Sequence, residues 1–199
     1  MVGSSAMRHV NSGLLAVSVA LALYIVGAPF FPDATFRVAS LWASFTGADS
    51  NGSLTSFHHG TASDPIPQDD RLVIPSIGVD GEINEGRGVD TLQKGIWRRP
   101  KTSTPDKGGN TVLVAHRFLY TSGSKTFYHL DKVKVGDPIA IYWKGKEYRY
   151  EVTETKVVLP TALEIEKPTP EPILTLYTCT PLLTGIDRLV VVAKLVSPL

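Results

Sequence analysis

The sequence predicts an all-β globular domain, a small barrel or sandwich, behind an N-terminal membrane-spanning helix. Three observations predict it. Short apolar and β-branched runs recur at close spacing between turn residues from Arg71 onward, the pattern of a small sheet closed on itself or folded into two layers. A stretch of 24 residues, His9 to Pro32, contains no Asp, Glu, Lys or Arg. There is one cysteine, Cys179, in 199 residues. An intramolecular disulfide and a multi-cysteine zinc site are therefore excluded, and an ordinary apolar core must hold the fold.

Residues 1–9 form a short N-terminus with Arg8 as its only charge. The span 10–31 follows, 22 residues of which 16 are apolar. A helix of about 20 apolar residues crosses a bilayer core. A cleaved signal peptide is the competing reading. The apolar stretch exceeds the usual ~7–15 residue signal core, and Pro29 directly follows the small residues Val26-Gly27-Ala28, so a retained anchor fits better. Arg8 places the N-terminus in the cytoplasm by the positive-inside rule. The rest of the chain is then expected outside, where it balances 19 basic against 19 acidic residues.

Residues 32–68 connect the anchor to the domain. Val38, Leu41, Trp42 and Phe45 share one helical face. A helix there lies at the membrane interface or packs on the globular domain. From Thr46 to Gln68, 18 of 23 residues are Gly, Ser, Thr, Asn, Asp, Pro, Gln or His, a linker composition that buries too little to offset its ordering entropy. His58 and His59 fall in this linker without a third metal ligand nearby and read as solvated loop residues.

The domain occupies residues 69–199. Arg71 to Ile74 is a strand ended by Pro75, and Asn110 to His116 is a β-branched run of buried-strand type. Pro138–Trp143 and Glu147–Leu159 flank Lys144-Gly145-Lys146, a hairpin signal. Ile173–Cys179 and Arg188–Leu195 are two more strands, and Thr126–Val133 is the one short helical turn expected. No phosphate-cradling glycine loop occurs, and a net charge of +1 argues against a broad electrostatic nucleic-acid binder. No cofactor is called for.

Cys179 closes an apolar strand, and a strand end is where a side chain can be held rigidly yet face a cleft. It is either a reactive thiol or a small buried hydrophobe; in an exported domain an unpaired thiol is exposed to oxidation. A thiol of ordinary pKa, about 8.5, is only a few per cent thiolate at neutral pH and needs a partner. Of the five histidines, His116 is the best placed, since it also ends a buried strand. His129, in Phe127-Tyr128-His129-Leu130, belongs to the helical turn. Attack on an amide generates an oxyanion. Arg188 begins the next strand, with eight residues between it and Cys179, and a returning antiparallel strand can bring its guanidinium to the same rim. A salt bridge to Asp187 is the alternative use of that side chain.

These residues resemble the sortase family. Thr175-Leu176-Tyr177-Thr178-Cys179 followed by Arg188-Leu189-Val190-Val191-Val192 resembles the TLxTC strand and arginine strand of sortases. Val112 to Arg117 resembles the segment with the sortase histidine, with Ala115 where many members have Gly. Leu72 to Val79 resembles the first strand, and Phe127 to Leu130 with Val135-Gly136-Asp137 the stretch between histidine and hairpin. The resemblance covers residues 69–199 and implies a closed β-barrel of about eight strands. It implies a cysteine transpeptidase acting on an LPxTG-like sorting signal near the C-terminus of secreted proteins. Carried over, Cys179 forms a thioester with the threonine of the signal, Arg188 stabilises the oxyanion, and His116 moves the proton. The acceptor is an amine from a cell-wall precursor or another protein.

Thr178, Leu163 and Ile165 are the candidates for lining the signal groove, the latter two being equally suited to a core. Pilin-polymerising sortases carry an Asp-Pro-aromatic lid before the barrel. Asp64-Pro65-Ile66 lacks the aromatic residue and reads as a Pro-rich linker end. Glu164, Glu166 and Glu171 form a weak calcium signal. Two other readings remain: an anchored cysteine hydrolase, and a catalytically silent binding module on the same barrel.

Overall fold

Residues 3–28, 38, 66–119 and 123–198 are described in the computed structural model, which divides into two units, residues 1–47 and 48–199. The first unit contains helix α1 (Gly3–Gly27). It begins before the expected span 10–31 and stops short of its end, and residues 29–31 lie outside the described residues. Its apolar side chains from Leu14 to Val26 are solvent-exposed within the isolated chain. Among the described residues no helix is long and apolar enough to cross a membrane. Apart from Val38, the expected helix around residues 38–45 lies outside the described residues, as do the linker up to Pro65, His58, His59, Asp64 and Pro65.

Among the described residues the second unit holds eight strands: β1 (Arg71–Ile74), β2 (Val79–Asn84), β3 (Ile96–Arg98), β4 (Asn110–Val114), β5 (Pro138–Trp143), β6 (Lys146–Val158), β7 (Ile173–Thr180) and β8 (Asp187–Pro198). They close into one barrel in the order β1-β2-β3-β4-β7-β8-β6-β5. Two neighbouring pairs, β2–β3 and β4–β7, are parallel, and the others are antiparallel. Closure removes every free sheet edge.

The alternation along the strands puts one set of side chains into a single core. Leu72 and Ile74, Ile139 and Ile141, and Leu174 and Leu176 are fully buried within it. Each such side chain contributes about 1.5–3 kcal/mol relative to exposure. Phe127 and Leu130 belong to the same core, completely buried. The β5–β6 turn uses Lys144 and Gly145, both at positive φ (52° and 73°), as a two-residue hairpin of matching twist requires. Two register shifts break the β6–β8 ladder, after Arg149 and after Val152, and such bulges bend a long strand around a barrel.

The expected strands are present with small boundary changes, and β4 ends at Val114 rather than His116. β2 and β3 were not expected. In β2, Val79 and Ile83 face inward, while Asp80, Glu82 and Asn84 are the outward set. Gly81 between them removes the apolar signal at the central inward position, and a Cβ there would lie 3.0 Å from Ile96 Cδ1. β3 is only three residues long, too short for a period to register. Helical structure is also more scattered than the single turn expected. Short 3-10 segments occur at Pro75–Ile77, Val89–Lys94, Pro105–Lys107, Gly123–Lys125, Leu130–Lys132 and Leu163–Glu166. Ile66 packs on Val73, Ala140 and Tyr142, on the β1–β5 part of the barrel.

Candidate active site

β4 and β7 run parallel with Val114 paired to Tyr177. Carried two residues further, the same offset brings His116 abreast of Cys179. On the other side of β7, Cys179 is the direct partner of Arg188 on β8. Neighbouring strands lie about 4.8 Å apart, so Cys179 and Arg188 sit side by side on the sheet, while His116 follows β4 by two residues. Leu174 and Leu176 point inward, so the strand period turns Tyr177 and Cys179 to the outer face. His116, Cys179 and Arg188 all line one cavity of about 290 Å³.

The cysteine is half-buried and free. Behind it the chain turns at the cis peptide Thr180–Pro181 and returns through Gly185 at φ +59°. A Cβ on Gly185 would sit 3.3 Å from the Cys179 Cβ and 3.9 Å from its Sγ, so glycine serves both the left-handed backbone and the space beside the thiol. The Arg188 guanidinium donates from Nη1 to the carbonyls of Gly185 (3.1 Å) and Asp187 (3.0 Å). Thus Asp187 meets Arg188 through its backbone oxygen. These bonds occupy one guanidinium nitrogen and fix the plane of the fork.

Burial lowers the pKa of His116 below 6.5, which favours the neutral imidazole at neutral pH. Its Nε2 lies 3.3 Å from the side-chain nitrogen of Gln93, in the 3-10 segment Val89–Lys94. His129 does not line the cavity; its ring packs edge-on against Tyr128 at 4.7 Å.

Thr178 borders the cavity but is 1% exposed, and its hydroxyl donates to the carbonyl of Ala115 (2.8 Å). Leu163 and Ile165 line the cavity from the 3-10 segment between β6 and β7, Leu163 being 71% exposed. The carbonyls of Ile165 and Lys167 in that connection both accept from Asn110 Nδ2 at 3.0 Å. Glu166 accepts from Tyr177 Oη (2.6 Å) and from Arg99 Nε (2.8 Å), and Glu171 lies 3.6 Å from Lys194. No cluster of three or more His, Cys, Asp or Glu able to hold a metal ion occurs among the described residues.

Gln93, Arg99 and the structural use of Glu166 escaped the sequence reading. Polar residues in short turns carry no period, and only the folded barrel brings Arg99 beside Glu166, 67 residues away.

With this geometry in place, the comparisons are specific. The family model of the sortase domain matches residues 72–196. The chain belongs to the sortase family. It is 30% identical over 138 residues to sortase A of Streptococcus agalactiae, covering 68% of this chain and 56% of that protein. Among solved structures, sortase C1 of GBS pilus island 1 superposes with a TM-score of 0.59 at 36% identity, covering 64% of each chain. The Clostridium perfringens sortase D5 transpeptidase superposes at 0.58 with 28% identity, covering 76% of this chain and 93% of that one. The chain spans between 40% and 56% of the curated relatives it matches.

Proposed function

We propose that the protein is a membrane-anchored cysteine transpeptidase that cleaves an LPxTG-like sorting signal and joins its acyl part to an amine. The observation that carries this is that His116, two residues past β4, Cys179 on β7 and its β8 partner Arg188 line one cavity. Membership of the sortase family supports it.

In this mechanism the neutral imidazole of His116 takes the thiol proton as Cys179 Sγ attacks the threonine carbonyl. An S–C bond forms and the carbonyl π pair moves to oxygen. Arg188, fixed by two carbonyls, offers its remaining N–H groups to the oxyanion. Collapse breaks the C–N bond, and His116 returns the proton to the leaving amine. An incoming amine then attacks the thioester, its proton passes to His116, and the thiolate leaves and is reprotonated. Leu163 and Ile165 supply apolar wall for the signal. The amine belongs to a cell-wall precursor or another protein. The charge-free apolar span 10–31 of the sequence favours a membrane anchor, with residues 1–9 cytoplasmic and the barrel outside.

The test is to incubate the full chain with an LPxTG peptide, with and without an amine such as triglycine, and read Cys179 by mass spectrometry. A thioester adduct, with a ligated product when amine is present, is expected. Hydrolysis alone would make the protein a protease. Unchanged cleavage by folded Cys179→Ala would remove the thiol mechanism altogether.

A further inference from the structure

His116 lies beyond the β-ladder, since β4 ends at Val114, yet its imidazole has to keep its place in the cavity while protons are passed. Its backbone is pinned from both sides. The carbonyl before it, on Ala115, accepts from Thr178 Oγ1 (2.8 Å), and its own carbonyl accepts from the Phe127 N–H (2.9 Å). Each peptide unit flanking the His116 Cα is planar and rigid, so tying both fixes the backbone from which the imidazole projects.

The second tie comes from the segment 126–131, which is anchored in the barrel core by the completely buried Phe127 and Leu130. That segment also holds the two residues after His116. Arg117 Nη2 donates to Asp131 Oδ1 (2.7 Å), and the Phe118 ring meets the Tyr128 ring edge-on, with centroids 6.1 Å apart. A backbone hydrogen bond, an ion pair and a ring contact therefore fall on His116, Arg117 and Phe118 in turn.

The ion pair is poorly built for stability. The Arg117 side chain is 12% exposed and that of Asp131 37%. Nε and Nη1 of the guanidinium are buried without a hydrogen-bond partner, and a buried cation with unmet donors costs free energy. Lys132 Nζ lies 3.0 Å from the other Asp131 oxygen, so the carboxylate has a second cation without Arg117. What the pair does supply is location, because a planar charged fork with one carboxylate partner has a defined seat. Arg117 is not among the residues that line the cavity, so its influence on the reaction passes through His116.

We propose that Arg117, through its ion pair with Asp131, is a positioning residue that holds the His116 imidazole toward the Cys179 thiol. This rests on the transpeptidase reading above, in which His116 moves the proton. Released from Asp131, the chain beyond His116 keeps one backbone bond and one ring contact, and the imidazole samples a wider range of positions. Proton transfer depends steeply on that geometry, whereas binding of the signal uses other walls of the cavity.

The test is single-turnover acylation of Cys179 in the full chain by an LPxTG peptide, read by mass spectrometry across peptide concentrations, at a temperature where circular dichroism shows each variant folded. Arg117→Gln and Asp131→Asn are each expected to lower the saturating rate about tenfold, with the half-saturating concentration within about twofold of the parent value. The double variant should be no slower than the slower single one, because the two side chains act as a unit. Arg117→Lys keeps the charge without the fork and should recover part of the rate. If Arg117→Gln fails to fold, Arg117→Lys carries the test, with a severalfold loss expected in the saturating rate alone. The parent rate in the folded single variants, additive losses in the double variant, or a loss confined to the half-saturating concentration each overturn the proposal. Those outcomes leave the transpeptidase reading standing, since the parent acylates. No acylation of the unmutated protein defeats that reading, and the positioning role with it.

Discussion

Thr178→Val removes one oxygen and keeps the shape of the side chain, so it isolates a single hydrogen bond. The β4–β7 ladder ends at Val114–Tyr177. Just past it, the Thr178 hydroxyl donates to the Ala115 carbonyl at 2.8 Å. Ala115 immediately precedes His116, and Thr178 immediately precedes Cys179. The bond therefore clamps together the two chain segments that carry the histidine and the thiol. Both residues are about 1% exposed, so the carbonyl left behind gains no water. Such an orphaned acceptor costs about 1–3 kcal/mol. For a domain of this size that corresponds to a fall in Tm of about 3–10 °C.

The catalytic effect should be larger than the loss of stability implies. A shift of about 1 Å in a catalytic group can cost up to about 100-fold. Acylation of Cys179 is expected to slow at least about tenfold at a temperature where the variant is fully folded. Thr178→Ser keeps the donor and should recover most of the rate. Thermal unfolding by circular dichroism and single-turnover acylation provide the two readouts. A Tm within 1 °C of the parent, together with the parent acylation rate, would refute the clamp.

Three further outcomes follow from the same geometry. Because burial holds the folded-state pKa of His116 below 6.5, the unfolded chain takes up that proton first as the pH falls; stability declines below about pH 6.5 until the folded-state pKa is passed. His116→Gln should flatten this part of the stability–pH curve measured by urea unfolding, and an unchanged slope would count against the burial. Gly185→Ala places a methyl against Cys179 at φ +59°; it should cost about 1 kcal/mol or more and slow iodoacetamide alkylation of the thiol, whereas an unaltered alkylation rate would show the loop simply yields. Gln93→Leu removes the contact to His116 Nε2 and should lower kcat severalfold with little change in KM, while a pure KM effect would mean that Gln93 touches substrate instead.

Much of the barrel was legible because its longer strands follow simple rules. β6 alternates Tyr148, Tyr150 and Val152 against charged neighbours, β5 is a nearly continuous apolar run, and β4 and β7 are rich in apolar and β-branched residues. Cys179 and Arg188 were legible because one turn joins their strands, so antiparallel pairing is close to obligatory. β2 was hidden by acidic residues on its outer face and by Gly81 at its centre. Glu166 was weighed as a cation ligand because it stands near two other glutamates in sequence. In the fold it turns away from them to Arg99 and Tyr177, a partnership set by long-range packing that no local pattern records.

The placement of His116 shows why this barrel suits such a site. In a parallel pair, both strands finish at the same rim. β4 and β7 are parallel neighbours, so the residue just past one and the residue near the end of the other meet there, despite the intervening β5–β6 hairpin. β8 runs the opposite way and begins at that rim, delivering Arg188. Two strand ends and one strand start thus converge on Cys179 from a single sheet surface. An all-antiparallel arrangement of the same three strands would send the end of β4 to the far rim, a strand length of more than about 15 Å away. The parallel β4–β7 step is therefore the topological feature on which the candidate site depends, and it brings the histidine just past β4 to the same rim as the thiol near the end of β7.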